Sequence, residues 1–246
     1  PIANENYSLR LGLDLSGNVL NLLDQVIKPD VPFSFGSDSL DRVTYSQYSL
    51  LELDGRYFKN FGRNVTIASR INTGIGLPYG NSSETGLPYV KQFFAGGNSS
   101  IRAWRVRQLG PGGAETDPTL DNLVPFQTGD FKFVGNLEGR FNMGFIASGL
   151  ESALFVDVGN VWSFTDDSEN GIKLLTTDNF LKRMAIGAGA GIRYDFSFFI
   201  LRIDYAWRVR RPYSGTGDDN DLSTFWESKH EAISNGRVNL AIGYPF

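Results

Sequence analysis

The chain has 246 residues, of which 41% are hydrophobic and 13% aromatic, and its formal net charge is -4. This length fits one large all-β domain, the aromatic content argues against disorder, and the balance of acids and bases argues against nucleic-acid binding. The absence of cysteine excludes disulfides and thiolate metal sites within this sequence. No apolar run reaches about eighteen residues, so a membrane protein with this sequence would have to cross the bilayer as a β-barrel.

Three strands are predicted in the first third of the sequence, because apolar and polar residues alternate there with a period of two. These strands cover about 8–16, 45–58 and 64–76. The first has leucine at every second position from Leu9 to Leu15. After it, apolar residues at spacings of three and four predict a short helix at 18–27, which Pro29 and Pro32 end before a loop that continues to about 42.

Five further strands are predicted in the second half of the sequence. They cover about 131–145, 154–162, 184–194, 199–208 and 238–246. The first of these shows the most regular alternation, with aromatic and aliphatic residues on one face and charged or amide residues on the other. The last strand is predicted to carry an apolar face up to the terminal residue, formed by Val238, Leu240, Ile242, Tyr244 and Phe246.

The connections between the predicted strands are alternately long and short. The longest spans about 77–129, and two other long ones span about 163–181 and 211–235. Transmembrane barrels have this alternation of short periplasmic turns and long outer loops, with aromatic residues at the strand ends. A soluble lipocalin-like barrel or a sandwich explains the period of two but not the alternating lengths. The sequence therefore predicts an all-β fold, an antiparallel transmembrane β-barrel whose long connections are extracellular.

Acidic and basic residues are mixed on the polar faces of the predicted strands. They include Glu52, Asp54, Arg56, Arg70, Lys132, Glu138, Arg140, Asp157, Arg193, Arg202 and Asp204. Such a mixture fits a wet lumen, where charges stay hydrated or paired. Eight strands would close into a narrow barrel filled by its own side chains, which could not admit a long loop. We therefore expect residues 1–246 to form the C-terminal half of a larger barrel of about sixteen strands, whose N-terminal strands lie outside this sequence.

The longest connection contains an unusual stretch at 93–113, with the sequence FFAGGNSSIRAWRVRQLGPGG. A plain surface loop has little need of isoleucine, tryptophan and valine beside three arginines, because loops are polar where their backbone meets water. A long loop with apolar anchors is more often folded onto its own protein. We expect this loop, with its glycines Gly96 and Gly97, to plug the lumen of the barrel and to be fixed there by Arg102.

Four segments resemble the signatures of one known family. They are GGNSSIRAW at 96–104, FVDVGNVW at 155–162, GAGAGIRYDFSFFILRIDYAW at 187–207 and the terminal strand that ends in Phe246. In order and spacing they resemble the C-terminal barrel half of the BamA/TamA superfamily of outer-membrane assembly proteins, over nearly the whole chain. Short details such as PYG at 78–80 and LPY at 87–89 favour a TamA-like or TamL-like branch.

The resemblance assigns roles to the residues of the loop and of the strand near 155–162. It implies that the loop tip enters the lumen and that Arg102 meets Asp157, with Glu138 on the neighbouring strand as a second acid. The loop anchor is then Ile101, Arg102, Ala103 and Trp104, and the strand motif is Phe155 and Gly159. Ala103 replaces the glycine usual in the family, which is expected to loosen or shift the loop tip. The alternative is a solvated Arg102 and an ordinary lumen acid at Asp157.

The last strand has two interpretations. It could be a plain lipid-facing strand, or, as the resemblance implies, one side of a lateral seam that pairs weakly with the first strand of the full barrel. The seam and sorting signal would comprise Gly243, Tyr244, Pro245 and Phe246. A proline cannot donate to a strand ladder and therefore suits an edge, and a loosely paired edge can bind another strand.

The resemblance implies a non-enzymatic assembly factor in the bacterial outer membrane, which inserts or exports β-barrel clients through the seam without nucleotide, cofactor or metal. Its partners would be outer-membrane lipids, unfolded client proteins and periplasmic, lipoprotein or inner-membrane assembly proteins, with periplasmic POTRA domains in the missing N-terminal part. The alternatives are a passive channel or surface-binding barrel, and an outer-membrane hydrolase. A hydrolase is disfavoured because the single histidine, His230, lies in a polar loop without an evident partner.

Overall fold

The computed structural model describes residues 4–27, 34–35, 43–114, 127–164, 175–214 and 221–246. Parts of the three predicted long connections, at 115–126, 165–174 and 215–220, lie outside these described residues. Among the described helices, none has the length and apolar character needed to cross a membrane.

The strands dominate the described chain. In order they are β1 (Glu5–Ser16), β2 (Ser34–Phe35), β3 (Val43–Thr44), β4 (Tyr48–Phe61), β5 (Val65–Pro78), β6 (Phe131–Asn142), β7 (Leu150–Trp162), β8 (Ala185–Asp195), β9 (Ile200–Arg210) and β10 (Arg237–Ile242). The two short strands β2 and β3 pair only with each other, inside the connection that was predicted as a loop.

The eight long strands form one sheet in the order β1-β4-β5-β6-β7-β8-β9-β10, and every neighbouring pair is antiparallel. The predicted all-β class with about eight antiparallel strands is thereby confirmed. The sheet is open, with β1 at one edge and β10 at the other. Because each strand pairs with the next long strand along the chain, short turns and long connections alternate between the two ends of the sheet.

The described parts of the connections contain three α-helices. They are α1 (Asn18–Ile27), α2 (Thr177–Lys182) and α3 (Lys229–Ser234). Helix α1 has the predicted bounds, whereas α2 and α3 occupy stretches that were predicted as polar loops. Local capping explains both, because Thr176 accepts a hydrogen bond from the backbone of Asn179 and Ser228 forms a capping box with Glu231.

The two faces of the sheet differ in chemistry. The face that we call the apolar face exposes aliphatic side chains, among them Leu11, Leu51, Ile71, Leu137, Leu154, Ile203 and Leu240. The opposite face, called here the polar face, carries charged residues such as Glu138, Asp157, Arg193 and Asp204, all of which are buried. They are buried because residues 93–114 of the longest connection pack over them. A cluster of buried apolar residues fills the layer between this loop and the sheet.

Two predicted strands end earlier than the alternation of their residues suggested. Strand β6 ends at Asn142 rather than near Phe145, since the Asn142 side chain accepts a hydrogen bond from the backbone of Gly144 at 2.7 Å and starts a turn. Strand β10 ends at Ile242, and Gly243 follows with a φ of +84°. This left-handed backbone ends the alternation, so the prediction of Tyr244 and Phe246 on the apolar face is wrong.

Candidate functional site

Residues 93–114, called here the plug loop, are held in place by backbone contacts. Phe93 pairs with Gly129, just before β6, and Ala95 pairs with Leu109 across the loop through isolated β-bridges, while the Gly112 amide donates to the Val161 carbonyl of β7 at 2.8 Å. The loop places its apolar residues Ile101, Ala103, Trp104 and Leu109 against the sheet, and all of them are buried. Burial of one isoleucine or leucine side chain stabilises a fold by roughly 1.5–3 kcal/mol, so these anchors favour a loop that is packed down rather than extended into solvent.

Both loop glycines have a backbone that other residues rarely adopt. The φ angles of Gly96 and Gly97 are +94° and +93°. A Cβ atom at Gly96 would lie 2.1 Å from the carbonyl oxygen of Arg105. The chain therefore doubles back at this point, and the backbone of Gly97 donates to the Trp104 carbonyl at 2.9 Å. This closed turn presents Arg102 at its tip.

Arg102 is held by two carboxylates of the sheet. Its Nε and Nη2 donate to Oδ2 and Oδ1 of Asp157, both at 2.9 Å, and its Nη1 donates to Oε2 of Glu138 at 2.6 Å. The backbone amide of Arg102 also donates to Asp157, at 3.0 Å. The exposed fraction is 1% for Arg102 and 0% for each acid. The two-pronged pairing uses the planar fork of the guanidinium, which fixes direction as well as distance.

Neighbouring groups complete the environment of this arginine. The Phe155 ring lies under the guanidinium, with its centroid 3.3 Å from Cζ. Asn136 donates to Asp157 at 2.8 Å and to the Ser100 carbonyl at 2.7 Å, and Asn239 donates to the Arg102 carbonyl at 3.0 Å. Strands β6, β7 and β10 thus contribute to one site, because inward residues alternate in register across the sheet.

The charges around Arg102 form a buried network. Arg140 donates to Glu138 at 2.7 Å, and Arg193 approaches the same carboxylate at 2.8 Å. Asp204 lies 3.7 Å from Arg102, 3.3 Å from Arg193 and 3.3 Å from Arg202. Burial by itself lowers the pKa of Arg102, but Asp157 and Glu138 outweigh it and hold that pKa above its ordinary value. The loop arginine therefore stays charged, and Glu138 and Asp204 each have more than one cation beside them, whereas Asp157 is paired with Arg102.

Three glycines of β8 leave space for the site. A Cβ atom at Gly187 would lie 2.8 Å from the Cβ of Ala103, one at Gly189 would lie 2.2 Å from the Phe155 ring, and one at Gly191 would lie 2.0 Å from Asp204. The inward side of β8 is thus a flat strip onto which the loop tip and the Phe155 ring fit. Ala103 fills the space that Gly187 leaves.

The plug loop reaches across most of the sheet. Arg70 of β5 donates to the Ser99 carbonyl at 2.8 Å, and Arg202 of β9 donates to the Asn98 carbonyl at 3.1 Å. The Asn98 side chain donates to the Leu240 carbonyl of β10 at 3.1 Å. The tip of the loop is therefore connected to strands from β5 to β10.

The structure brings the predicted loop anchor, its two acid partners and Phe155 together in this one site. Gly159 lies further along β7 with a φ of +149°, where a Cβ atom would be 2.2 Å from the Phe133 carbonyl. The predicted seam residues at the end of the chain lie apart from Arg102. They contact its network of buried charges through Arg140, which is paired with Glu138. The Arg140 guanidinium lies 4.1 Å from the Tyr244 ring centroid and 5.9 Å from that of Phe246, which is buried.

Sequence reasoning missed Asn136 and Asn239 as site residues. The alternation of residues placed Asn136 on the polar face, but an amide carries no charge that would mark it as a partner of Asp157. Arg193, Arg202 and Asp204 were assigned to the lumen without any link to Arg102. Their link depends on the register of β8 with β9, in which Arg193 faces Arg202 and Gly191 faces Asp204.

Within the part of the chain that the structure describes, no group of three or more histidine, cysteine, aspartate or glutamate side chains is placed to hold a metal ion. His230 lies in α3, at the end of the sheet that carries the long connections.

The chain was compared with known protein families and solved structures. The crystal structure of BamA from Haemophilus ducreyi lacking POTRA domains 1–3 is similar at 18% identity and a TM-score of 0.49, over 86% of this chain and 49% of that one. The chain thus spans about half the length of that structure. The Omp85 superfamily domain matches residues 34–246, which include the plug loop and both carboxylates that hold Arg102. This chain belongs to the Omp85 superfamily.

Proposed function

We propose that the protein is an outer-membrane factor that assembles or translocates client proteins, and that this chain supplies the C-terminal half of its barrel. Membership of the Omp85 superfamily supports the outer-membrane location and the general role. The observation that carries the proposal is Arg102, a buried loop arginine with hydrogen bonds to Asp157 and Glu138. A loop fixed in this way keeps the lumen filled, which suits a protein that works at its seam rather than through an open pore.

The ion pairs support a role in fixing the position of the loop. Transfer of a charge from water to the interior costs several kcal/mol, which a buried pair recovers only with good geometry and further hydrogen bonds. Asp157 receives hydrogen bonds from the Arg102 side chain, the Arg102 backbone and Asn136. Such a site accepts one arrangement of the loop, because any other leaves a buried charge without its partner.

Strand β10 supports the proposed seam. It is an edge strand of six residues, beside which no other described strand lies apart from β9. The unpaired backbone groups of an edge are a template for a further strand, so a client hairpin can add to it by β-augmentation. Gly243 and Pro245 limit the length over which such a strand can pair. Pairing alone drives this exchange, which needs no nucleotide, metal or enzymatic step.

A passive channel is the second candidate function. It would need an open lumen, whereas the plug loop spans the polar face from β5 to β10. The two functions predict opposite effects of Arg102. In a passive channel its replacement changes conductance little, and in an assembly factor it changes barrel stability and client assembly. Partners in the periplasm, among lipoproteins or in the inner membrane stay a prediction from the family resemblance.

A double-mutant cycle on Arg102 and Asp157 in the intact protein tests the proposal. Asp157→Asn removes the charge at nearly constant size, whereas Arg102→Gln removes both the charge and the guanidinium, and each is expected to destabilise the barrel by roughly 3–5 kcal/mol because it leaves the other charge buried. The double variant is expected to lose less than the sum of the two, with a coupling of about 1–3 kcal/mol. Heat stability of the folded barrel and the yield of assembled clients are the measurements.

Arg105→Gln is the matched control, since Arg105 lies in the same loop but is exposed. It should leave both measurements near the wild-type values. Additive and near-neutral effects of the Arg102 and Asp157 changes would contradict the proposed role of the loop. High ion conductance of the wild type that Arg102→Gln leaves little changed, without an effect on client assembly, would favour the passive channel instead.

A further inference from the structure

Helix α1 is amphipathic, because its apolar residues and its polar residues lie on opposite sides of the helix. At about 100° per residue, its six apolar residues fall within about 160° of the helix circumference, and its four polar residues occupy the remainder. The apolar residues are Val19, Leu20, Leu22, Leu23, Val26 and Ile27, and the polar ones are Asn18, Asn21, Asp24 and Gln25. In a soluble protein, such an apolar stripe packs against the core.

The helix instead turns its polar side toward the protein. The Tyr79 hydroxyl donates to Oδ1 of Asn18 at 2.7 Å, and the Tyr45 hydroxyl donates to Oδ1 of Asn21 at 3.3 Å. Burial, with a hydrogen bond to Asp24, raises the pKa of Tyr45. Asn18, Asn21 and Asp24 lie at successive turns of the helix. The contact with the protein therefore follows the polar stripe along its length.

The apolar side of α1 points away from the protein. Val26 is 76% exposed, and Val19, Leu22, Leu23 and Ile27 are also exposed. Exposure of single apolar residues is common on protein surfaces, but a contiguous stripe of this kind marks a surface that contacts lipid or another protein. The orientation of the helix thus raises the question of which of these two covers it.

The position of α1 identifies lipid as the occupant. The helix follows β1 after Gly17 alone, and β1 carries the exposed Leu11, Leu13 and Leu15 on the apolar face of the sheet. The apolar stripe of α1 therefore continues the apolar face at the end of the sheet where the long connections lie. A salt bridge of 2.7 Å between Lys91 and Asp14 ties this end of β1 to the longest connection. A lipid-facing surface that continues onto a helix at its rim is the arrangement of an interfacial helix.

We propose that α1 lies in the interface of the membrane, with its apolar side among the acyl chains of the outer leaflet and its polar side on the barrel rim. The inference rests on the proposed placement of the chain as a membrane barrel. It adds a lipid-binding element outside the barrel wall, next to the edge strand β1. Apolar burial rather than charge drives this binding, since the helix has no basic residue.

Fluorescence quenching of single-cysteine labels tests the inference. The chain itself has no cysteine, so Val26→Cys and Gln25→Cys each introduce one thiol into a cysteine-free form of the intact protein. Both variants carry a bimane fluorophore and are reconstituted into phosphatidylcholine vesicles, with bromine on the acyl chains near the headgroup. Leu137→Cys, on the apolar face of β6 and 54% exposed, is the reference for the barrel wall.

The label at Val26 is expected to lose much of its fluorescence to brominated lipid and little to aqueous iodide, and the label at Gln25 is expected to do the reverse. If iodide quenches both while brominated lipid quenches Leu137, the helix stands in water, and the inference is wrong although the barrel placement holds. Protection of Val26 from both quenchers would mean that protein covers it, which also overturns the inference. Absence of lipid quenching at Leu137 would refute the membrane placement itself.

Discussion

At the scale of single residues, Arg102 fixes the position of the plug loop more than it contributes to the stability of the fold. Three of its guanidinium nitrogens and its backbone amide donate to carboxylates, and its carbonyl accepts from Asn239. The desolvation of these charges offsets much of their attraction, so the stability of the plug loop comes mainly from buried apolar residues such as Ile101 and Trp104. The arginine decides which position of the loop is allowed.

Tyr244 is the residue at which the terminal segment can be followed by titration. Its hydroxyl donates to Oε2 of Glu151 at 3.0 Å, and its ring lies over Arg140. Burial, followed by the charge of Glu151, raises the pKa of Tyr244 to about 12. Both causes disfavour the phenolate, so ionisation is coupled to release of the segment.

We predict that docking of the terminal segment weakens as the pH rises between about 10 and 12. Below the pKa of a free tyrosine, which is about 10, both the docked and the released forms are neutral and docking has its full strength. Above it the released form ionises first, which favours release. The difference in phenolate absorbance between the wild type and Tyr244→Phe isolates this titration. A midpoint near 10 would show instead that the ring is freely solvated.

At the scale of elements, the inward positions of strand β8 are glycines because other parts of the protein pack closely against its backbone. Its inward glycines Gly187, Gly189 and Gly191 lie where Ala103, the Phe155 ring and Asp204 approach the backbone. Because Phe155 in turn supports the Arg102 guanidinium, β8 positions the arginine without contacting it directly. The glycines cost conformational entropy in a strand, which the close packing of the loop offsets.

We predict that Gly189→Ala disturbs the plug loop. The added methyl would lie 2.2 Å from the Phe155 ring and 2.4 Å from the Tyr205 carbonyl, and the backbone oxygen cannot move aside without distorting the ladder. Overpacking of this kind costs about 1–3 kcal/mol. A lower thermal midpoint of the folded barrel and faster proteolysis within 93–114 are expected.

Gly139→Ala is the control for this change. Gly139 lies on β6, and a Cβ atom there would meet its nearest neighbour, the Phe141 ring, at an ordinary 3.5 Å. This variant should keep the wild-type thermal midpoint and the wild-type proteolysis pattern. An equal loss in both variants would attribute the effect to strand backbone preference rather than to the support of Phe155.

The elements also show what can be read from the sequence. The period of two located all eight long strands to within a few residues, because one face of each strand is apolar. The same signal failed at Tyr244 and Phe246, where Gly243 and the attraction of Arg140 for the rings redirect the chain. The orientation of α1 was not predictable either, since an amphipathic pattern does not tell which side meets the protein. Asn136 and Asn239 gained their roles only from strand register.

At the scale of the whole molecule, the sheet has two edges of unequal character. Strand β1 pairs with β4 over 12 residues and β10 pairs with β9 over 6. A short strand that is followed by a glycine and a proline has fewer backbone hydrogen bonds to its neighbour than a long one, so it separates from the sheet at a lower cost in free energy. Of the two edges, β10 is therefore the better candidate for exchange with an incoming strand, and the plug loop contacts it from the polar face through Asn98 and Arg102.

We predict that a photo-cross-linking residue at Leu240 captures an assembling client, whereas one at Ile192 does not. Both side chains project from the apolar face with similar exposure, 63% and 56%, but Leu240 lies on the edge strand β10 and Ile192 on β8 in the interior of the sheet. Only the edge has no second neighbouring strand among the described residues, so a client strand can pair there, where it would compete with Asn98 for the Leu240 carbonyl. Cross-linking in the intact protein with a stalled client separates pairing at the edge from mere contact with an apolar surface. Capture at both positions would indicate apolar contact alone, and capture at neither would place client entry elsewhere on the protein.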